Sequence, residues 1–318
     1  MIRAIRLGLI GCGEWGANYI KTIEKMNGVE IDLIACKTIK NKKSLNKKYQ
    51  LTDDWRVVVN SSNIDGIIIA VPPKMHYEIA SEAIKNGKPT IVEKPLTLSS
   101  REANNLFALS VENRVNVRVN HVYLYHPMYR FLKKYIKNFN NLKSICSISG
   151  NYGPFRENIS SLWDWAPHDI AMCLDILGEM PIKINAKLSK QIFDSNEKYD
   201  KSNITMHLRF NNDVHAYINT GNIMESKKRF FKLNFEKKSY IFDPISYFYI
   251  QEEENLKIKE INEINLLNDF DFNETPLEIL LKDFSKEILT SKFQVEDLKL
   301  SKNVIKIIES IDDKLRIK

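Results

Sequence analysis

The sequence predicts an α/β protein of two domains, an N-terminal doubly wound parallel sheet followed by a C-terminal α+β domain with a mostly antiparallel, open-faced sheet. Three observations carry this reading. Apolar strand-like runs alternate with helical periodicity as far as Val119, a glycine-rich turn closes the first run, and beyond His121 extended segments outnumber helices. At 318 residues the chain suits two cores rather than one. The boundary is placed at residues 121/122, giving an N-terminal α/β domain over 1–121 and a C-terminal α+β domain over 122–318.

In chain order, Ile5, Leu7, Leu9 and Ile10 form a buried first strand, and Tyr19, Ile20, Ile23 and Met26 mark the helix after it. Strands follow at 31–36, 66–71, 90–92 and 115–119, with helices over 73–83 and 99–111 between them. Right-handed crossovers then demand a parallel sheet. In the second half, strands are expected at 144–150, 183–188, 205–210, 214–219 and 230–235, interrupted by a helix over 166–177. The charged stretch 252–263 reads as a solvated hairpin. Thr275 and Glu278 frame Pro276 as a capping box, so a helix runs over 275–289.

Gly11-Cys12-Gly13-Glu14-Trp15-Gly16 fits G-x-G-x-x-G at the one place where that pattern carries meaning, after the first strand and opening the first helix. It predicts a Rossmann domain. Gly11 permits the tight turn, Gly13 lets a pyrophosphate approach the backbone, and Gly16 lets helix and strand pack closely. Glu14 and Trp15 complete the loop, whose helix N-terminus offers donors to phosphates. An acid that would accept hydrogen bonds from the ribose of NAD belongs at the end of the second strand. Lys37 stands there instead, followed by Thr38, and an ammonium favours a 2′-phosphate. NADP is therefore favoured over NAD.

Composition narrows the classes. With 43% hydrophobic and 27% charged residues the chain resembles a globular protein, and no run approaches the roughly 18 apolar residues of a membrane span. The N-terminus lacks the h-region and cleavage site of a secretory signal, so a cytoplasmic location is expected. The net charge of +7 is spread along the chain without a basic, aromatic-interleaved stripe, which argues against nucleic acid and leaves an anionic substrate welcome. Cys12, Cys36, Cys146 and Cys173 show neither redox-motif nor metal-ligand spacing; they are read as reduced fillers, with no metal site and no disulfide.

Three further segments carry the chemistry: Ala70-Val71-Pro72-Pro73 with His76, then Glu93-Lys94-Pro95, then Asp164 and His168 within Trp163-Asp164-Trp165-Ala166-Pro167-His168-Asp169. With the glycine loop, and in this order, they resemble the glucose–fructose oxidoreductase and inositol dehydrogenase family, Gfo/Idh/MocA, over essentially the whole chain. The resemblance implies an NAD(P)-dependent oxidoreductase acting on sugars, inositols or nucleotide sugars, assembled as a homodimer or homotetramer. It also implies that Lys94 polarises the reacting oxygen, that His168 serves as acid–base, and that Asp164 orients it. Val71, Pro72, His76 and Glu93 are assigned with Lys94 to the cofactor.

Pro167 suits a first helical turn, so Asp164 and His168 are expected to flank a helix N-terminus whose dipole opposes protonation of the imidazole. Tyr123, Tyr152, Arg156 and Trp165 are further substrate-side candidates, Arg156 as an anion clamp. His126 is a weaker one, and His207 and His215 read as structural. Two other functions use the same frame: a glycosidase that retains NAD and oxidises its sugar transiently, and a cofactor-sensing regulator without catalysis.

Overall fold

Leu7 and Leu9 have no exposed surface and Ile10 almost none in strand β1 (Ile5–Ile10). An unbroken apolar run marks this strand because a parallel sheet is covered on both faces. The computed structural model describes residues 3–37, 48–136, 139–157, 159–192, 200–245, 250–254, 257–261 and 272–316. Helix α1 (Glu14–Ile23) returns the chain to β2 (Val29–Ala35), which pairs parallel with β1 from Ile5↔Val29 to Ile10↔Ala35. Next come β3 (Gln50–Thr52), α2 (Trp55–Asn60), β4 (Gly66–Ile69), α3 (His76–Lys85), β5 (Thr90–Val92), α4 (Ser100–Asn113) and β6 (Val117–Val119).

The six strands lie in the order β3-β2-β1-β4-β5-β6, all parallel, and the order reverses between β1 and β4. This is the expected doubly wound sheet. Gln50–Thr52 and Trp55–Asn60 were not foreseen, because a three-residue strand and a six-residue helix are too short to display a period. Asp54 starts that helix by accepting a hydrogen bond from the Arg56 N–H at 3.0 Å.

The chain divides into two compact units, residues 1–122 with 276–305, and residues 123–275 with 306–318. A boundary at 121/122 would leave 276–305 in the second domain, whereas the structure places it with the first. In the structure, α7 (Pro276–Thr290) buries Leu280 and Phe284 completely, and a Cβ on Gly66 would lie 3.0 Å from the Phe284 ring. Arg118 of β6 bonds Glu287 at 2.5 Å and Asp297 at 2.6 Å, the latter at the start of α8 (Glu296–Arg316). Asn116 bonds the Lys292 carbonyl and the Gln294 N–H. These contacts, between partners more than 160 residues apart, have no signature in a local sequence window.

The second unit contains α5 (Pro127–Tyr135), α6 (Ser161–Leu177) and an eight-stranded sheet. Its strands are β7 (Leu142–Tyr152), β8 (Lys183–Gln191), β9 (Ser202–Arg209), β10 (His215–Gly221), β11 (Ile223–Phe235), β12 (Lys238–Phe242), β13 (Ile250–Glu254) and β14 (Lys257–Ile261). They lie in the order β14-β13-β12-β11-β7-β10-β9-β8, antiparallel except where β10 meets β7. The charged stretch forms the β13–β14 hairpin. Helix α6 packs on β7, β9 and β10. Ala216 and Ile218 are buried on one face of β10, whereas Tyr217 of β10 and Ile148 of β7, which pairs with Asn219, stay exposed. No helix among the described residues is long and apolar enough to cross a membrane.

Candidate active site

The glycine loop has the shape its sequence requires. Gly11 sits at φ +105°, and a Cβ there would lie 2.2 Å from the Ala70 carbonyl oxygen; one on Gly16 would lie 2.1 Å from the Gly11 oxygen. Both glycines are thus compelled by close backbone approach. Gly13 differs, since a Cβ there would meet nothing within 4 Å, and it forms the N-cap of α1 without any side-chain cap. Open space beside an uncapped helix N-terminus fits a pyrophosphate. Glu14 is exposed and Trp15 half-buried beside it.

Lys37 lies two residues beyond the end of β2 and is exposed; Thr38 lies outside the described residues. The four cysteines are not all isolated fillers: the structure joins Cys12 to Cys36, Cα to Cα 5.6 Å, leaving Cys146 and Cys173 free. A separation of 24 residues concealed this pair. The cause is strand register, because Ile10 pairs with Ala35, and the residues that follow each strand arrive side by side.

At the carboxyl end of β5, Glu93 is buried and its Oε1 accepts hydrogen bonds from Asn120 Nδ2 at 2.7 Å and the Tyr19 hydroxyl at 2.9 Å. Burial raises the pKa of this carboxyl, opposed by the Asn120 and Tyr19 hydrogen bonds and by Lys94. Lys94 is half-buried and precedes a cis proline, Pro95. His121 is buried beside this segment, and burial, with the Lys94 charge second, lowers its pKa to about 3. The imidazole is therefore neutral.

Val71 is half-buried and Pro72 exposed. His76, expected at the cofactor, is instead fully buried. Its Nδ1 lies 2.8 Å from the Pro95 oxygen and its Nε2 2.9 Å from the Val71 oxygen. Burial pushes its pKa down, so one ring nitrogen carries a proton to donate. The side chain thus clasps the Val71 turn to the Glu93-Lys94-Pro95 turn, and no surface remains for a ligand.

In the second unit the helix bearing Asp164 and His168 begins at Ser161, a turn and a half before the expected start, and Pro167 lies inside it. Asp164 occupies the first turn, but His168 is the eighth residue. A helix-end field fades within one turn, so the dipole argument for a neutral His168 does not hold. The two side chains remain one helical step apart on the same face, at i and i+4. Arg156 Nε donates to Asp164 Oδ2 at 3.2 Å, so this arginine contacts the carboxylate. The edge of Tyr123 meets the His168 ring, centroids 5.2 Å apart. Trp165 Nε1 is buried with no hydrogen-bond partner among the described residues. Tyr152 is exposed, its ring against Phe155.

Beneath Tyr123 lies a network that the sequence did not announce. Arg229 places its guanidinium 3.8 Å from the Tyr123 ring centroid and donates to Asp169 at 2.6 Å. Asp169 also accepts from Ser147 and Ser149, and Ser149 meets Thr220. His126 is structural: it caps α5 through the Met128 N–H, and burial lowers its pKa to about 4. His207 and His215 stack on each other and on Tyr217 on the exposed face of the sheet.

Residues 5–121 match an oxidoreductase family with an NAD-binding Rossmann fold, known as Gfo/Idh/MocA. Over 130 residues the chain is 26% identical to dTDP-3,4-didehydro-2,6-dideoxy-α-D-glucose 3-reductase of Actinomadura kijaniata, covering 40% of this chain and 39% of that protein. Over 157 residues it is 31% identical to levoglucosan dehydrogenase of Pseudarthrobacter phenanthrenivorans, covering 44% and 40%. The match thus spans about two fifths of the length of these relatives. A solved structure from Magnetospirillum magnetotacticum, 28% identical, superposes with a TM-score of 0.83 over 96% of this chain and 99% of that one. UDP-N-acetylglucosamine 3-dehydrogenase of Acidithiobacillus ferrooxidans has the same fold at 17% identity, TM-score 0.83, over 100% and 99%. Residues 5–121, which hold the glycine loop and the Glu93-Lys94-Pro95 turn, thus match the NAD-binding Rossmann domain of the Gfo/Idh/MocA oxidoreductases, and the chain as a whole shares its fold with these solved structures.

Proposed function

We propose that the protein is an NAD(P)-dependent oxidoreductase that moves a hydride to or from a secondary hydroxyl or ketone of a sugar, inositol or nucleotide sugar, with NADP preferred. The observation that carries this reading is the loop of Gly11, Gly13 and Gly16, which leaves open space at a helix N-terminus in the sheet that also carries Lys94 at a strand end. In open α/β sheets, ligands bind outside the carboxyl ends of the strands near the reversal of strand order.

When bound, the nicotinamide supplies the acceptor or donor of hydride. The Gly13 backbone and the first N–H groups of α1 hold the pyrophosphate, and Lys37 attracts the 2′-phosphate. Lys94 donates a hydrogen bond to the reacting oxygen and stabilises negative charge as it develops there. His168 takes the hydroxyl proton during oxidation and returns it during reduction, and Asp164 holds the imidazole or a neighbouring hydroxyl. Glu93, fixed by Asn120 and Tyr19, anchors the backbone that presents Lys94. The exposed sheet face of Ile148, Tyr217 and the stacked histidines is the surface for a homodimer or homotetramer. The related reductase and dehydrogenases, which act on sugars, favour this reading over a regulator without catalysis.

The test is titration calorimetry with NADPH and NADH on wild type and on Lys37→Asp, followed by a sugar and nucleotide-sugar screen at the absorbance of the reduced cofactor. Tighter NADPH binding that reverses in the variant supports the reading. Binding of neither cofactor overturns it.

A further inference from the structure

The Cys12–Cys36 pair lies within the dinucleotide site proposed above. Cys12 is the residue between Gly11 and Gly13, and Cys36 immediately precedes Lys37. A ligand whose pyrophosphate rests on Gly13 and whose 2′-group reaches Lys37 therefore has one of these cysteines next in sequence to each of its two anchor points. The backbone holds the two residues together whatever their redox state, because Ile10 pairs with Ala35 and the Gly11 N–H donates to the Ala35 oxygen at 2.9 Å. The Cα separation of 5.6 Å lies in the usual range for a disulfide. Access is unequal, since Cys36 is 2% exposed and Cys12 is half-buried.

We propose that Cys12 and Cys36 form a reversible thiol–disulfide pair whose closure weakens binding of the dinucleotide. The inference rests on the cofactor reading of the glycine loop. Two unbonded sulfurs settle at a contact distance of about 3.5–4 Å. A disulfide holds them at about 2 Å, so closure keeps the Cys12 side chain from turning outward and ties the glycine loop covalently to the residue after β2. It thereby removes the freedom of the Gly13 and Lys37 segments to adjust to a pyrophosphate and ribose. That freedom matters where backbone N–H groups must meet fixed phosphate oxygens.

The chemistry is exchange with a small disulfide such as that of glutathione. The accessible Cys12 thiolate attacks one glutathione sulfur, breaking its S–S bond and releasing one glutathione thiolate. Cys36, as a thiolate, then attacks the Cys12 sulfur of the mixed disulfide and displaces the second. The protein loses two electrons and two protons overall, and the small disulfide becomes two thiols. Excess reduced glutathione runs the sequence backwards.

The experiment uses the full-length protein, either fully reduced or incubated with glutathione disulfide and then freed of it. Thiols are counted with a chromogenic disulfide under denaturing conditions, the linkage is located by peptide mapping, and NADPH and NADH affinities are measured by titration calorimetry. Reduced protein should show four thiols and bind NADPH, and oxidised protein should show two, with Cys12 linked to Cys36. The oxidised form should bind about tenfold or more weakly, and a reductant should restore the affinity. Cys12→Ala, which leaves only the buried Cys36 of the pair and is matched to wild type by circular dichroism, should show the same affinity in both conditions. Equal affinity in the two forms, tighter binding on oxidation, or no linkage between these cysteines overturns the proposal while leaving the cofactor reading intact. No binding by reduced protein removes both. Loss of affinity in oxidised Cys12→Ala would show that another cysteine is responsible, and also overturns it.

Discussion

Arg229 and Asp169 form an ion pair at 2.6 Å in which the two side chains are 2% and 0% exposed. A pair so buried adds little net stability when intact, but losing one partner strands a charge away from water. Arg229→Met should lower stability by about 3–5 kcal/mol, measured by denaturant unfolding. Asp169→Asn combined with Arg229→Met should recover part of this loss. A single Arg229→Met variant as stable as wild type would show the pair to be dispensable. Because Arg229 also stacks on Tyr123, which meets His168, the variant should disturb the His168 environment beyond its effect on stability.

The two glycines of the loop should separate folding from binding. Gly16→Ala places a Cβ 2.1 Å from the Gly11 oxygen, a backbone atom that cannot step aside cheaply, so destabilisation of about 1–3 kcal/mol is expected. Gly13→Ala meets nothing within 4 Å, so stability should stay within about 0.5 kcal/mol. The new methyl nevertheless occupies the space left for a pyrophosphate, and NADPH affinity should fall. Thermal melts paired with cofactor titration distinguish the two effects; undiminished affinity in Gly13→Ala would remove the pyrophosphate from this position.

Glu93 carries a pH signature. Burial raises its folded-state pKa above the ordinary value of 4.5, so between the unfolded and folded values the native state binds more protons. Stability should therefore fall as pH rises from 4.5 through the folded-state value and level off above it. Glu93→Gln keeps an oxygen to accept from Asn120 and Tyr19 and should lack this part of the slope. Identical stability–pH profiles for the two proteins would contradict the assignment.

Lys94 and His168 differ in what their removal should cost. Once the sugar screen supplies a substrate, Lys94→Ala and His168→Ala should each lower kcat by about 10²–10⁴ while NADPH affinity changes by a few-fold at most. Only His168→Ala should also lose the acid–base limb of the pH–rate profile. Near-wild-type kcat in both would leave the family fold without the chemistry assigned to it.

The parallel sheet was legible because its strands are continuous apolar runs between strongly periodic helices, and the glycine loop because its spacing sits at the right junction. Lys94, Asp164 and His168 stand out in the sequence through their motif order, and their roles are the proposal made above. What stayed hidden depends on register and distance. Arg229 meets Asp169 because β11 runs beside β7, where Arg229 faces Ser149. Tyr19 and Asn120 hold Glu93 from 74 and 27 residues away. Pro167 misled the helix start, since proline is commonest in a first turn but is tolerated here within a buried helix.

The first compact unit is discontinuous, closed by Pro276–Thr290 and the opening turns of the last helix. A ribosome emits residue 122 long before it emits residue 276, so the nascent parallel sheet exists for some time with the Gly66 side unclothed and Arg118 without Glu287 or Asp297. Such a unit cannot complete itself in order of synthesis. Its final core forms only after Glu287 and Asp297 have been made, which gives it long sequence separations between contacting residues and the slow folding that accompanies them.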